Sequence, residues 1–236
     1  MAKKNTPAPV QLNVAFHSSG PLQPTLVALI VYTGPGSWKR EALWDEYVVT
    51  VENHGDRPLT VDAAALAEGA GSSYTAGDDP WALEKQSKVL EKQYRNKGQA
   101  FVRAAGPGVL IVGAGAAVVS ATTASVFVSA AAVGAAAATV VVLPVYYVTI
   151  LSINHHNKKA IMDEFARRRL QLPLTLAPGA TQTGSVYFPM VRQPRSLQLR
   201  WSDESSNGSE ELPLDFLNSL HVPAAPVMPA TKTVSR

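Results

Sequence analysis

Tyr47-Val48-Val49-Thr50-Val51-Glu52-Asn53, then His54-Gly55-Asp56-Arg57-Pro58, then Leu59-Thr60-Val61: the fold turns on how this stretch is read. The outer pieces are rich in β-branched and aromatic side chains, which suit a pleated surface. The middle piece carries the glycine, aspartate and proline of a turn. Together they predict a β-hairpin. Outward from it, further strands are predicted over 10–16, 25–32, 43–53 and 59–66. Later in the chain the same signals recur over 172–176, 181–188 and 196–201, with Ala177-Pro178-Gly179-Ala180 as the turn between the first two. Short strands at this spacing suggest an antiparallel sandwich. Neither 10–75 nor 170–217 has enough strands to close a sandwich alone. The two segments are expected to pair, as the halves of one discontinuous domain in a mainly β chain with some α.

Between the halves lies different material. The 236-residue chain is 17% charged, yet residues 104–157 contain no Asp, Glu, Lys or Arg. All the charge falls in the rest, which is ordinary in composition. Residues 108–153 hold twelve Ala and twelve Val. As a helix they would extend about 69 Å, at about 1.5 Å per residue, while about 20 residues cross a bilayer. The expectation is a transmembrane α-helical hairpin within 104–153, with helices over 108–128 and 130–152, interrupting the sandwich. Small residues recur every fourth position at Gly113, Ala117, Ala121 and Ser125, and at Gly134 and Ala138. That spacing lets helix backbones approach closely, so these residues are the expected helix-packing sites and a route to homo-oligomers.

The flanks are basic. Residues 84–103 carry six basic and two acidic groups, and residues 158–169 carry five and two. This excess beside an apolar block fits a membrane better than a nucleic acid, so no nucleic-acid partner is expected. Arg95, Lys97, Arg103, Lys158, Lys159, Arg167, Arg168 and Arg169 are the expected contacts to lipid headgroups. By the positive-inside rule, the chain is expected to be integral to the inner membrane with its sandwich in the cytoplasm. A periplasmic or lipoprotein-like placement is the alternative. Asp79-Pro80-Trp81 is a helix start, with Asp79 as cap, so a connecting helix is expected within 79–103 and a second over 154–169. The proline-containing end, 218–236, is expected to be disordered. The start of the chain lacks the apolar run of a secretory signal as written.

Signals for chemistry are sparse. There is no cysteine, which excludes thiolate metal sites and thiol nucleophiles. None of the five histidines has a metal-ligand partner four residues away. No G-x-S-x-G, P-loop or H-E-x-x-H motif occurs. Val109-Leu110-Ile111-Val112-Gly113-Ala114-Gly115 starts like a dinucleotide-binding turn, but Val118 stands at the third glycine position and the next acid is Asp163. Asp78-Asp79, Asp203-Glu204 and Glu210-Glu211 read as solvated loops. Arg192, Arg195 and Arg200 are candidates for an anion. No catalytic residue, metal or cofactor is assigned.

Trp44-Asp45-Glu46-Tyr47 leads into the opening stretch, and the whole run to Val61 resembles the strand–Asn–x–x–x–x–Pro–strand hairpin of bacterial immunoglobulin-like envelope domains. Leu176-Ala177-Pro178-Gly179 with Gly184-Ser185-Val186-Tyr187-Phe188-Pro189 resembles a strand pair of the same domains. The chain as a whole is similar to uncharacterised proteobacterial membrane proteins and lipoproteins with a sandwich and a central apolar hairpin. The resemblance implies an immunoglobulin-like sandwich and envelope association, and no reaction. The lipidated cysteine of the lipoproteins is missing. The function expected is a membrane-anchored structural or interaction module, not an enzyme, whose sandwich binds a protein partner. The alternative is a membrane-inserting effector or channel subunit that oligomerises through the Gly/Ala-rich hairpin.

Overall fold

Strands outnumber helices among the described elements, and most of them pair into two antiparallel sheets. The structure, a computed structural model, describes residues 10–13, 20–31, 39, 43–69, 71–103, 109–110, 114–118, 158–218 and 220–222. The strands are β1 (Val10–Asn13), β2 (Leu22–Ile30), β3 (Asp45–Asn53), β4 (Leu59–Glu68), β5 (Ser73–Thr75), β6 (Val109–Leu110), β7 (Ala114–Val118), β8 (Leu174–Leu176), β9 (Thr181–Phe188), β10 (Pro194–Ser202) and β11 (Asn207–Pro213). One sheet runs β6-β2-β3-β9 and the other β11-β10-β4-β5. A separate pair joins β1 to β7. In the second sheet β10 follows β4 from Thr60 to Glu68, so the other edge of β4 is shared by β8, at Leu59–Val61, and β5, at 65–67. β3 pairs with β9 from Asp45↔Phe188 to Glu52↔Thr181. Strands early and late in the chain are therefore neighbours in both sheets.

Two strands change parity midway. In β2 the core side chains are Leu22 and Leu26, then Leu29; in β4 they are Leu59 and Val61, then Ala64 and Leu66. A strict alternation would point the second half of each strand outward. The register shifts between Leu26 and Ala28 opposite β3, and between Val61 and Ala63 opposite β10. Each bulge inserts one residue, Val27 or Asp62, and keeps the apolar set facing inward. Between the sheets Leu26, Tyr47, Val49, Leu66, Val186 and Leu199 form one buried cluster.

Two helices pack at the outside. α1 (Pro80–Asn96) begins at Asp79, whose carboxylate accepts the Trp81 N–H at 2.8 Å. Leu83, Leu90 and Tyr94 lie on its buried stripe. α2 (Lys158–Arg168) presses Phe165 against the outward faces of Trp44 and Tyr187.

The expected helix over 108–128 is corrected at its described residues, 109–110 and 114–118, and the rest of that range lies outside the described residues. Val109–Leu110 is a strand paired with Leu29 and Ile30, and Ala114–Val118 is a strand paired with β1. The described helices have 17 and 11 residues, and none is long and apolar enough to cross a membrane. A short apolar run rich in β-branched side chains can satisfy its backbone by pairing with a neighbouring strand, and no periodicity in it separates that outcome from a helix. The transmembrane hairpin falls with this finding, and so does the integral-membrane placement derived from it. The helix over 130–152 and residues Gly113, Ala121, Ser125, Gly134 and Ala138 lie outside the described residues, as do 223–236 of the expected tail; Ala117 lies in β7, opposite Gln11. β5 and β11 were not expected. β11, Asn-Gly-Ser-Glu-Glu-Leu-Pro, is a mostly exposed edge whose charges and proline suit an unpaired border.

Candidate functional site

The bulge at Asp62 opens a gap in the second sheet. β8 leaves β4 after Val61 and β5 joins it at Ala65, so residues 62–64 have no strand on that edge. The chain leaving β5 closes part of the gap, with the Ala76 N–H donating to the Ala64 carbonyl at 2.9 Å. It then crosses to the first sheet, where the Gly77 N–H donates to the Tyr187 carbonyl at 2.8 Å. From the other side the chain leaving α2 runs parallel to β9, with the Leu170 N–H donating to the Ser185 carbonyl at 2.8 Å. A Cβ at Gly184 would stand 2.8 Å from the Leu170 backbone, so this crossing requires glycine there. Between the two crossings lies a cleft of ≈ 300 Å³.

Its lining is mixed. Ala63, Ala76 and Gly77 are small, Leu172 and Val186 are apolar, and Asp62, Asp78, Arg169 and Ser185 are polar. Asp62 and Asp78 are exposed, while Arg169 is half-buried. Arg169 Nη1 donates to the Asp78 carbonyl over a long 3.4 Å. Its Nε is buried and has no acceptor among the described residues.

Ser185 joins the cleft to a buried charged network. Its hydroxyl donates to Glu46 at 2.8 Å. Arg168 reaches Glu46 at 3.5 Å through Nη1 and donates to Glu164 at 2.5 Å through Nε. Arg167 also donates to Glu164, at 2.8 and 2.5 Å. Burial pushes the Glu164 carboxyl up, but the two guanidiniums outweigh it and hold it below the ordinary carboxylate range. Burial works against the Arg168 charge, and Glu46 and Glu164 overcome it.

Asp45, one residue earlier, serves a second cluster. His221 Nε2 donates to Asp45 Oδ2 at 2.8 Å, and Nδ1 donates to the Val102 carbonyl at 3.0 Å. Two acceptors on one imidazole favour the doubly protonated ring. Burial lowers its affinity for the proton, yet Asp45 and the Val102 carbonyl raise the pKa above its ordinary value, against a smaller push from Lys39. Lys39 is fully buried and donates to the carbonyls of Ile30 and Trp44 at 2.7 and 2.6 Å. Burial lowers its pKa to about 8, despite the charges of Asp45 and Glu46.

The side chains of Glu46, Asp45, Arg168 and His221 are at most 5% exposed. No substrate could reach them without unfolding α2 or displacing the segment around His221, so these clusters hold the fold. The cleft is the accessible part. No group of metal-ligating side chains occurs among the described residues.

The basic residues singled out by sequence go separate ways. Arg95 and Arg103 both pair with Glu91, at 2.6 and 2.7 Å. Lys158 lies over the Trp81 ring at 5.3 Å. Lys97 caps the end of α1, and Lys159 is exposed on α2. Arg167 and Arg168 turn to Glu164, and Arg169 enters the cleft. Arg195 lies against Gly69, and Arg200 stands between Ala63 and Ser209. The Arg192 N–H donates to the Tyr94 hydroxyl at 3.3 Å. The cleft itself was not anticipated. Its one trace in sequence is the parity change between Val61 and Ala64, which marks Asp62 as an inserted residue.

No protein-family model, curated protein or solved structure matches the chain.

Proposed function

We propose that the chain is a binding module that takes its partner at the cleft between the two sheets. The observation that supports this reading is the placement of Arg169: its guanidinium stands in an accessible cleft with a buried donor that no described residue satisfies. The side chains of Asp45, Glu46, Arg168 and His221 are by contrast closed to solvent. A concave site lined by small and apolar residues, with a few polar groups among them, has the make-up of a recognition site. The crossings at Gly77 and Leu170, each tied to β9 by a backbone hydrogen bond of 2.8 Å, form its walls.

The test places a photo-crosslinking amino acid at Thr75, on the cleft rim, in the full chain produced in its own cells. A second position, Glu211, lies on the opposite edge of the same sheet. The reading expects one adduct of defined mass from Thr75 and none from Glu211. Equal labelling at both positions, or none at Thr75, overturns it.

A further inference from the structure

We infer that the cleft receives the free carboxyl end of a peptide chain, with its terminal carboxylate on Arg169. The inference rests on the binding-module reading and names its ligand.

Three features of the cleft converge on this chemistry. The first is the guanidinium. Nε and Nη of one arginine form a planar fork that matches the two oxygens of a carboxylate. At Arg169 the Nε donor is buried without an acceptor among the described residues, and Nη1 holds its carbonyl at only 3.4 Å. A carboxylate arriving there satisfies a donor that is otherwise costly to bury.

The second is the gap in β4. An extended peptide can add to a sheet wherever an edge is open. The Ala76 N–H already fills the Ala64 carbonyl, so this opening spans only residues 62–63 and is bounded by β8 on one side and β5 on the other. A strand passing through would collide with one of them, whereas a chain end can stop inside. The volume, ≈ 300 Å³, lies at the small end of ligand sites and suits about two residues. Ala63, Ala76 and Gly77 allow a backbone to come close, while Leu172 and Val186 favour an apolar last side chain.

The third is the charge at the mouth. Asp62 and Asp78 are both exposed and line the cleft with Arg169, leaving its lining with net charge −1. Those two carboxylates repel any anion, a phosphate dianion more strongly than a single carboxylate, so an anion is held only where the guanidinium itself grips it. They also favour neutral or basic residues just before the chain end.

The probe is a mixture of N-acetylated hexapeptides of randomised sequence, made once with free carboxyl ends and once as amides. Retention by the full chain is measured by equilibrium dialysis and mass spectrometry. Free acids are expected to be enriched at least ten-fold over amides, with apolar last residues leading. Arg169→Gln should abolish the preference and Arg169→Lys should keep part of it, with circular dichroism and melting temperature reporting that both variants are folded. Equal retention of acids and amides by the wild-type chain overturns the inference without any variant. So does a preference that survives Arg169→Gln, or full competition by acetate or a free amino acid at the peptide's concentration. If acids and amides are equal while the Thr75 adduct persists, the module reading stands and only the carboxylate is lost. If the Thr75 adduct is absent as well, both readings fall.

Discussion

Tyr47, Val49 and Val51 leave β3 toward the other sheet and meet an apolar cluster; Glu46, Val48 and Thr50 leave it toward α2 and Thr183, and two of these three are polar. Both faces are buried, but burial is stabilised differently on each. Inside, the gain scales with area removed from water, so losses should follow side-chain volume. Outside, the Glu46–Arg168–Glu164 chain holds charge in a dry place, and its stability depends on completeness. Removing one member of such a set leaves a charge without compensation, while removing the set together can be neutral.

This contrast predicts the largest effects. Arg168→Met withdraws the guanidinium shared by Glu46 and Glu164 and should cost about 4 kcal/mol in urea denaturation at pH 7. Adding Glu46→Gln and Glu164→Gln should recover at least half of that. Leu199→Ala, in the inner cluster, should cost about 3 kcal/mol, with no partner substitution that restores it. An Arg168→Met loss below that of Leu199→Ala, or a triple variant less stable than the single one, would break the contrast.

Two buried cations near Asp45 sharpen it, because their pH slopes oppose. Lys39 donates to two backbone carbonyls, and burial lowers its pKa from 10.5 to about 8 despite the charges of Asp45 and Glu46. Between those values the unfolded chain holds the proton and the folded chain does not, so stability rises with pH. The rise is about 3 kcal/mol, at about 1.4 kcal/mol per pKa unit, and should vanish in Lys39→Met. His221 instead donates directly to Asp45, and its pKa is raised above 6.5. Its contribution is complete below about pH 6.5 and is lost as pH rises through the folded value. His221→Gln should remove that decline. Denaturation curves from pH 5 to 10.5 separate the two, and slopes of the same sign would show that burial does not outweigh the Asp45 charge at Lys39 while yielding to it at His221.

The same distinction governs what the sequence could reveal. Thr181–Phe188 was legible because a Pro-Gly turn leads into a run with β-branched and aromatic side chains, and α1 because a cap followed by a helical stripe reports which way side chains point. The strands at Val109–Leu110 and Ala114–Val118 were misread because an apolar run has no polar face to reveal its period. β11 was invisible for the opposite reason, being a polar edge with few side chains to bury. Arg167-Arg168-Arg169 read as one basic run, and the structure divides it: Arg167 stays at the surface, Arg168 is buried, and Arg169 follows the end of α2 into the cleft. Helix spacing fixes the first two directions. The third depends on a crossing over Gly184, a residue fifteen positions later, which no local pattern encodes.

The smallest effect is tied to the cleft by a short lever. Asp79 caps α1 through the Trp81 N–H, and Leu83 in the next turn packs so closely on Gly77 that a Cβ there would stand 2.6 Å away. Asp79→Ala should lower stability by about 1 kcal/mol, or about 2–4 °C in melting temperature for a chain of this size. Asp79→Ser, which can still cap, should lose only a fraction of that. Because Gly77 and Asp78 line the cleft, the alanine variant should also weaken peptide retention more than its small stability loss explains, and the serine variant should not. Equal retention by both would mean that the first turn of α1 sits beside the cleft without setting its shape.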